Sequence, residues 1–322
     1  VNELKRKHLR ALTDARGVIG AAAMDQREVL RQAIAKAKGA PAGDVTDEML
    51  TAFKTAVTRV LTPYSSAILL DVEFGLSAAA ARAPGTGLLL AYEADTFLLA
   101  HPNKIPAVIA DATVRRWMEL GANGIKILVR YDPFDDAAVN AVKQAFVERI
   151  GAECAVNGAP FFLEFTGYGP AEKSLEYARR KPEIVRRSVE EFSQPRYRAD
   201  VLKVEFPIDL DYVGEAYSRE EALGHFRAAA AAAALPFVYL SAGVSHARFI
   251  ECLRMAAEAG APFSGVLCGR ATWQDGIPIY ARRGARALED WLAGEGVRNI
   301  QAINDLLDAA TPVEAAGAAR PA

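Results

Sequence analysis

Lys203 lies inside VLKVEFP, residues 201–207, an apolar run in which a permanently charged surface side chain has no ready place. A lysine there is either half of a structural ion pair or an amine kept partly desolvated, with a neutral and nucleophilic fraction. Such an amine attacks a ketone, giving a carbinolamine and then a protonated imine that withdraws electrons as the neighbouring carbon–carbon bond breaks. Lysines also protect edge strands from unwanted pairing, so Lys203 by itself decides nothing.

Other apolar runs repeat the interruption. In NGIKILVRY, period-two alternation puts Lys126, Leu128 and Arg130 on one face and Ile125, Ile127 and Val129 on the other. PFFLEFTGY carries Glu164 in the same way, and AILLDVEFG carries Asp71 and Glu73. Charges that share one face, opposite Ile, Leu, Phe and Val, read as the lining at one end of a closed barrel. A carboxylate must move protons as the carbinolamine forms and the bond breaks; Glu164 is the first choice, with Asp25 orienting Lys203 or sharing the shuttle. Lys126 would lower the pKa of the Lys203 amine or hydrogen-bond a substrate hydroxyl or phosphate, and the residues alone leave both roles open. A buried ion pair is the bland account of each carboxylate, and it is compatible with catalysis.

The elements that must position these groups follow at steady intervals. GVIGAAAM, SAILLDVE, GLLLAYE, GIKILVRY, PFFLEFTG, VLKVEFP, FVYLSAG and FSGVLCG are strand candidates, and helical patterns lie between them, clearest in DDAAVNAVKQAFVERIG, KPEIVRRSVEEFS and REEALGHFRAAAAAAAL. Asp44 and Thr46 are candidate caps of an early helix. Strands alternating with helices and no break in composition predict a single (β/α)8 TIM barrel over residues 1–309, with an extra N-terminal helix and a flexible tail over 310–322. A doubly wound open sheet is the competitor, but the first strand runs into MDQRE and not into a phosphate-cradling G-x-G-x-x-G. In a barrel the carboxyl ends of the strands gather Asp25, Asp71, Glu73, Lys126, Glu164, Lys203, Ser241 and Arg270 into one site.

The last two strands end in LSAGVS and GVLCGR, small residues that leave backbone N–H groups free to meet an anion. Ser241, Gly243, Gly269 and Arg270 are therefore expected to hold one phosphate, where barrels commonly place it. Zinc chemistry would need clustered ligands, and His8, His101, His225 and His246 show no paired spacing, so neither metal nor cofactor is expected.

The chain has 322 residues with 51% hydrophobic and 24% charged side chains, which suits a globular protein and argues against disorder. A formal charge of -2 without a long basic block leaves no footprint for nucleic acid. Cys154, Cys252 and Cys268 are odd in number and form no C-x-x-C pair, apolar runs are too short for a bilayer, and VNELKRKHLR is not an export signal. The expectation is a cytoplasmic enzyme with a small-molecule partner and no membrane contact. Size and the alanine-rich helix near residue 235 add a homodimer to the expectations.

The blocks MDQR, SSAILLDVEFG, GLLLAYE, ERIGAECAVNGAPFFLE, DVLKVE, LSAGVS and GVLCGRATW together resemble the tagatose-1,6-bisphosphate aldolase family, from the opening helix to about residue 307. The resemblance implies a metal-independent barrel aldolase that works through a lysine imine. It implies Lys203 as the imine-forming residue, Glu164 as the proton shuttle, and Asp25 and Lys126 as their companions. Ser241, Gly243 and Arg270 inherit the dihydroxyacetone-phosphate end, and Gln26 and Arg27 correspond to further substrate-site residues. Phe74 and Val72 depart from the family pattern, where tyrosine and proline are common. Those departures bear on the distal half of the substrate, for which tagatose or fructose 1,6-bisphosphate is expected and 6-deoxy-6-sulfofructose 1-phosphate is the alternative. For the distal group the inward-facing candidates are Arg27, Glu73, Lys126 and Arg130. A non-catalytic sugar-phosphate-binding barrel is the reading from a different class; a sensor needs affinity and no proton shuttle.

Overall fold

A computed structural model describes residues 3–95, 104–169 and 172–318. Strands β1 (Ile19–Met24), β2 (Ala67–Leu70), β3 (Gly87–Ala91), β4 (Gly124–Arg130), β5 (Phe161–Thr166), β6 (Val201–Val204), β7 (Phe237–Leu240) and β8 (Gly265–Cys268) close in sequence order. Every neighbouring pair is parallel, β8 returning to β1, so the expected barrel is the observed one.

The two faces of each strand do different work, because successive side chains alternate. Ile19, Ala21 and Ala23 of β1, with Leu69, Leu89, Phe162, Val201, Val238 and Leu267, fill the barrel interior. Ile68, Leu88, Ile125, Ile127, Phe161, Leu163, Leu202 and Val266 face outward and are covered by helices. Phe162 shares this interior cluster with the small side chains of Ala21 and Ala23 of β1 and Ala91 of β3. Gly265 has φ +133°, and a Cβ there would come 2.0 Å from the Ile19 carbonyl oxygen; only glycine lets β8 lie this close to β1.

The helices begin where polar caps allow. Thr46, the one of the two candidate caps that takes the position, accepts from Met49 N–H before helix Asp47–Leu61. Ser218 and Glu221 form a reciprocal capping box at helix Arg219–Ala232, the alanine-rich segment. Cys154, Cys252 and Cys268 are buried free thiols. Among the described residues no helix is long and apolar enough to cross a membrane.

The N-terminal helix, Glu3–Arg10, leads into Leu12, which is buried in the interior cluster and closes the lower end of the barrel. Within the segment set apart as a tail, the described residues make contacts with the barrel. Val313 is buried in the same interior cluster, its N–H donates to Gly17 C=O at 2.9 Å, and Glu314 pairs with Arg10 at 2.8 Å. The apolar contact, the hydrogen bond and the ion pair together tie the start of the short helix Val313–Ala318 to the barrel.

Asp71 also departs from expectation. It is fully buried against Lys54 of helix Asp47–Leu61, and Lys54 donates in addition to the carbonyls of Met24 at 2.8 Å and Gln26 at 2.7 Å. The ammonium arrives from a helix that the strand pattern does not include, and it needs a counter-charge. This pair braces the backbone on both sides of Asp25. Removing one partner of a buried pair strands the other charge, so Lys54→Met should cost about 3–5 kcal/mol of stability. Urea unfolding measures it, and a loss below about 1 kcal/mol would show that the pair is dispensable.

Candidate active site

At the upper end of the barrel the inward positions turn polar. Counting in twos from Ala21 and Ala23 reaches Asp25, from Leu89 and Ala91 reaches Glu93, from Phe162 reaches Glu164, and from Val201 reaches Lys203. Strand register then sets neighbours side by side: Ala91 faces Lys126 across β3–β4, and Glu164 faces Lys203 across β5–β6. A cavity of about 750 Å³ opens over this layer, lined by Asp25, Glu93, Lys126, Glu164, Lys203 and Arg270 among others.

The two lysines are held very differently. Lys126 Nζ lies 2.8 Å from Asp25 Oδ2, 2.8 Å from Glu93 Oε1 and 2.7 Å from Glu164 Oε2. Burial works against its charge, but Asp25, Glu164 and Glu93 outweigh that and hold its pKa well above the ordinary lysine value. Lys203 is buried as deeply, yet among the described residues its Nζ has a single ionic partner, Glu164 Oε2 at 2.9 Å. Glu164 Oε2 thus sits between two ammonium groups at ion-pair distance, although neither contact has hydrogen-bond geometry. Lys126 is a fixed cation, and Lys203 is an amine with one loosely made contact.

Asp25 is buried, which by itself would raise its pKa, but Lys126 first and Lys203 second draw it well below the usual carboxylate range. Glu93 goes the other way: burial raises it more than Lys126 and Arg27 lower it. Of the eight buried side-chain nitrogen and oxygen atoms without a hydrogen-bond partner among the described residues, four line this cavity: Gln26 Oε1, Glu93 Oε2, Glu164 Oε2 and Arg270 Nε. Polar atoms left so are costly in a folded core and cheap where a polar ligand enters.

The loops after β7 and β8 meet at Arg270. Gly243 has φ +79°, a turn conformation that favours glycine, and the Arg270 guanidinium lies directly over it, 2.6 Å from where a Cβ would stand. Ser241 is buried at the cavity wall; Gly269 packs against the Ala23 carbonyl and near Gln26. Burial disfavours the Arg270 charge, with only Asp25 and Glu164 opposing from across the cavity. An anion beside Ser241 and Arg270 would relieve that.

Gln26 donates to Asp25 Oδ1 at 3.1 Å and so steadies that carboxylate. Arg27 is at the cavity edge but committed: it donates to Glu73 at 2.7 Å and to the Glu93 carbonyl at 2.7 Å. Lys126 is committed as well, and Arg130, also on the cavity wall, bonds Thr166 at 3.2 Å and pairs with the half-exposed Glu172; Glu73, the fourth candidate named for a distal group, is taken by Arg27. Glu93 was not among the expected site residues. Period-two counting along GLLLAYE would have found it, since it follows Ala91 by two. His8, His225 and His246 lie on helices, and His101 lies outside the described residues. Among the described residues no group of three His, Cys, Asp or Glu side chains is placed to hold a metal ion.

The model of the DeoC/LacD family aldolases matches residues 19–275, from the first strand past the last. The chain belongs to the DeoC/LacD aldolase family. Among the relatives of this DeoC/LacD chain, a tagatose 1,6-diphosphate aldolase of Listeria monocytogenes serotype 4b is 46% identical over 310 residues, 93% of this chain and 90% of the relative. Tagatose 1,6-diphosphate aldolase 1 of Enterococcus faecalis is 44% identical over 315 residues, 95% of each chain. A solved structure of a Schiff-base-forming fructose-1,6-bisphosphate aldolase superposes with a TM-score of 0.61, covering 94% of this chain and 99% of that one. At 16% identity it speaks for the barrel of this family and for nothing finer.

Proposed function

We propose that this DeoC/LacD family aldolase cleaves a ketose 1,6-bisphosphate, tagatose or fructose 1,6-bisphosphate, to dihydroxyacetone phosphate and glyceraldehyde 3-phosphate through an imine on Lys203. The observation that carries the reading is the asymmetry between the two lysines: three carboxylates hold Lys126, while among the described residues Lys203 has Glu164 as its single ionic partner. An amine with a single carboxylate neighbour can pass its proton to that neighbour and become the nucleophile.

In this reading the Lys203 amine adds to C2 of the ketose, and Glu164 donates the proton with which the C2 oxygen departs as water. The protonated imine draws the electrons of the C3–C4 bond as Glu164 takes the proton of the C4 hydroxyl. The aldehyde leaves, a proton returns to C3 of the enamine, and water releases dihydroxyacetone phosphate. Lys126 stays an ammonium and fixes Asp25, Glu93 and Glu164 in place. Asp25 faces both lysines and offsets the positive charge of the imine. Ser241, Gly243, Gly269 and Arg270 take the C1 phosphate, while Gln26 and Arg27 shape the wall beside it.

Initial rates with the metal-free protein should show triose phosphate release from tagatose and fructose bisphosphates. Comparison of kcat/KM for these, for their forms lacking the C6 phosphate and for 6-deoxy-6-sulfofructose 1-phosphate ranks the substrates. A preference for the sulfonate rejects the bisphosphate assignment and leaves the lysine chemistry standing. Binding without release over hours rejects the enzyme in favour of a binding barrel.

A further inference from the structure

The cavity is larger than a triose phosphate needs. Beyond Lys203 it extends over the β4–β6 rim, where Arg130, Thr166, Tyr177, Lys181 and Glu205 line it. Glu205 follows Lys203 by two positions, so it shares the inward face and stands one pleat nearer the mouth, roughly 6–7 Å along the chain. It is 8% exposed. Among the described residues it enters no ion pair, and its one hydrogen bond is a long one, from Gly167 N–H to Oε2 at 3.3 Å.

The groups facing it are otherwise occupied or distant. Lys181, from the helix Leu175–Phe192, donates to the Ile208 carbonyl at 3.2 Å; Arg130 of β4 bonds Thr166 and Glu172. Burial pushes the Glu205 carboxyl up, against Lys181 and Arg130, which pull it down, and with Glu172 adding to the rise. Tyr177, on the same helix as Lys181, faces it as well. A buried carboxyl costs free energy unless something satisfies it, and no structural partner here does so fully. By contrast, Arg27 after β1 and Lys126 of β4, nearer the base of the cavity, are already bound to carboxylates.

We propose that Glu205 is a substrate-binding residue that hydrogen-bonds a hydroxyl group in the distal half of the sugar chain held by Lys203. The inference rests on the aldolase reading above and deepens it. A carboxyl suits a neutral polyol oxygen, whereas it would repel a phosphate, so Glu205 selects for the hydroxylated carbons between the imine and the distal anion.

Two variants test it, Glu205→Ala and Glu205→Gln, assayed with the ketose bisphosphate and with dihydroxyacetone phosphate alone. Loss of one hydrogen bond to a charged or polar site group predicts a rise in KM of about 10- to 100-fold for Glu205→Ala with a smaller change in kcat, and Glu205→Gln within about threefold of the native protein. Borohydride trapping of dihydroxyacetone phosphate, which lacks the distal half, should stay within about twofold of native in both variants. An unchanged KM in Glu205→Ala, or a Gln variant as impaired as the Ala variant, overturns the proposal. So does loss of trapping in Glu205→Ala, because the carboxyl would then serve the lysine or the fold. Failure of the native protein itself to be trapped removes the aldolase reading, and the proposal with it, and is distinguishable from each of these.

Discussion

Lys203→Met is expected to lose turnover by at least about 10⁴-fold, the scale on which removal of a covalent nucleophile acts. The variant should remain folded, because Glu164 keeps Lys126 at 2.7 Å and is not left without a cation. In the native protein, borohydride added with dihydroxyacetone phosphate reduces the imine to a secondary amine and leaves a stable adduct. Intact mass gives one label per chain and peptide mapping places it in VLKVE. The Met variant should take up none. A label on Lys126 would overturn the assignment, and would require an ammonium held by Asp25, Glu93 and Glu164 to surrender its proton against all of them. That is why the two lysines, equally buried, are not interchangeable.

Glu164→Gln should slow turnover by about 10²- to 10⁴-fold, the usual contribution of a positioned acid–base group, equivalent to roughly 2.7–5.5 kcal/mol in the barrier. The amide keeps the shape of the side chain but cannot accept and return a proton. Phosphate affinity should change little, since Ser241, Gly243 and Arg270 belong to other loops. Steady-state rates combined with the affinity for inorganic phosphate separate the two effects. A variant that keeps most of its turnover would move the proton shuttle to Asp25 or to Glu205. Of these, Asp25 is handicapped: Lys126 and Lys203 hold its pKa low, which favours a permanent carboxylate over a group that gains and loses protons.

The barrel was legible in the chain because alternation in a strand is a local property. GIKILVR sorts Ile125, Ile127 and Val129 outward and Lys126 and Leu128 inward whatever the rest of the molecule does, and eight such runs separated by helices admit few closures. The same alternation made the charged ends of several strands visible as one candidate site, with Lys203, Glu164, Asp25 and Lys126 among them. It failed where a side chain from outside the strand pattern intervened. Lys54 arrives from a helix and takes Asp71 out of the lining; Glu73 is drawn to Arg27; Val313 returns from the far end of the chain to close the bottom of the barrel. None of these pairings has a sequence signature, since the partners lie 17, 46 and hundreds of residues apart. The roles of the lysines belong to the same class. Alternation alone marks Lys126 and Lys203 alike as inward-facing amines near strand ends; the apolar setting of VLKVEFP and the family resemblance single out Lys203. Only the closure of the barrel decides how many carboxylates reach each Nζ, and Coulomb attraction at under 3 Å in a buried site then makes Lys126 a fixed cation, while among the described residues Lys203 meets Glu164 alone.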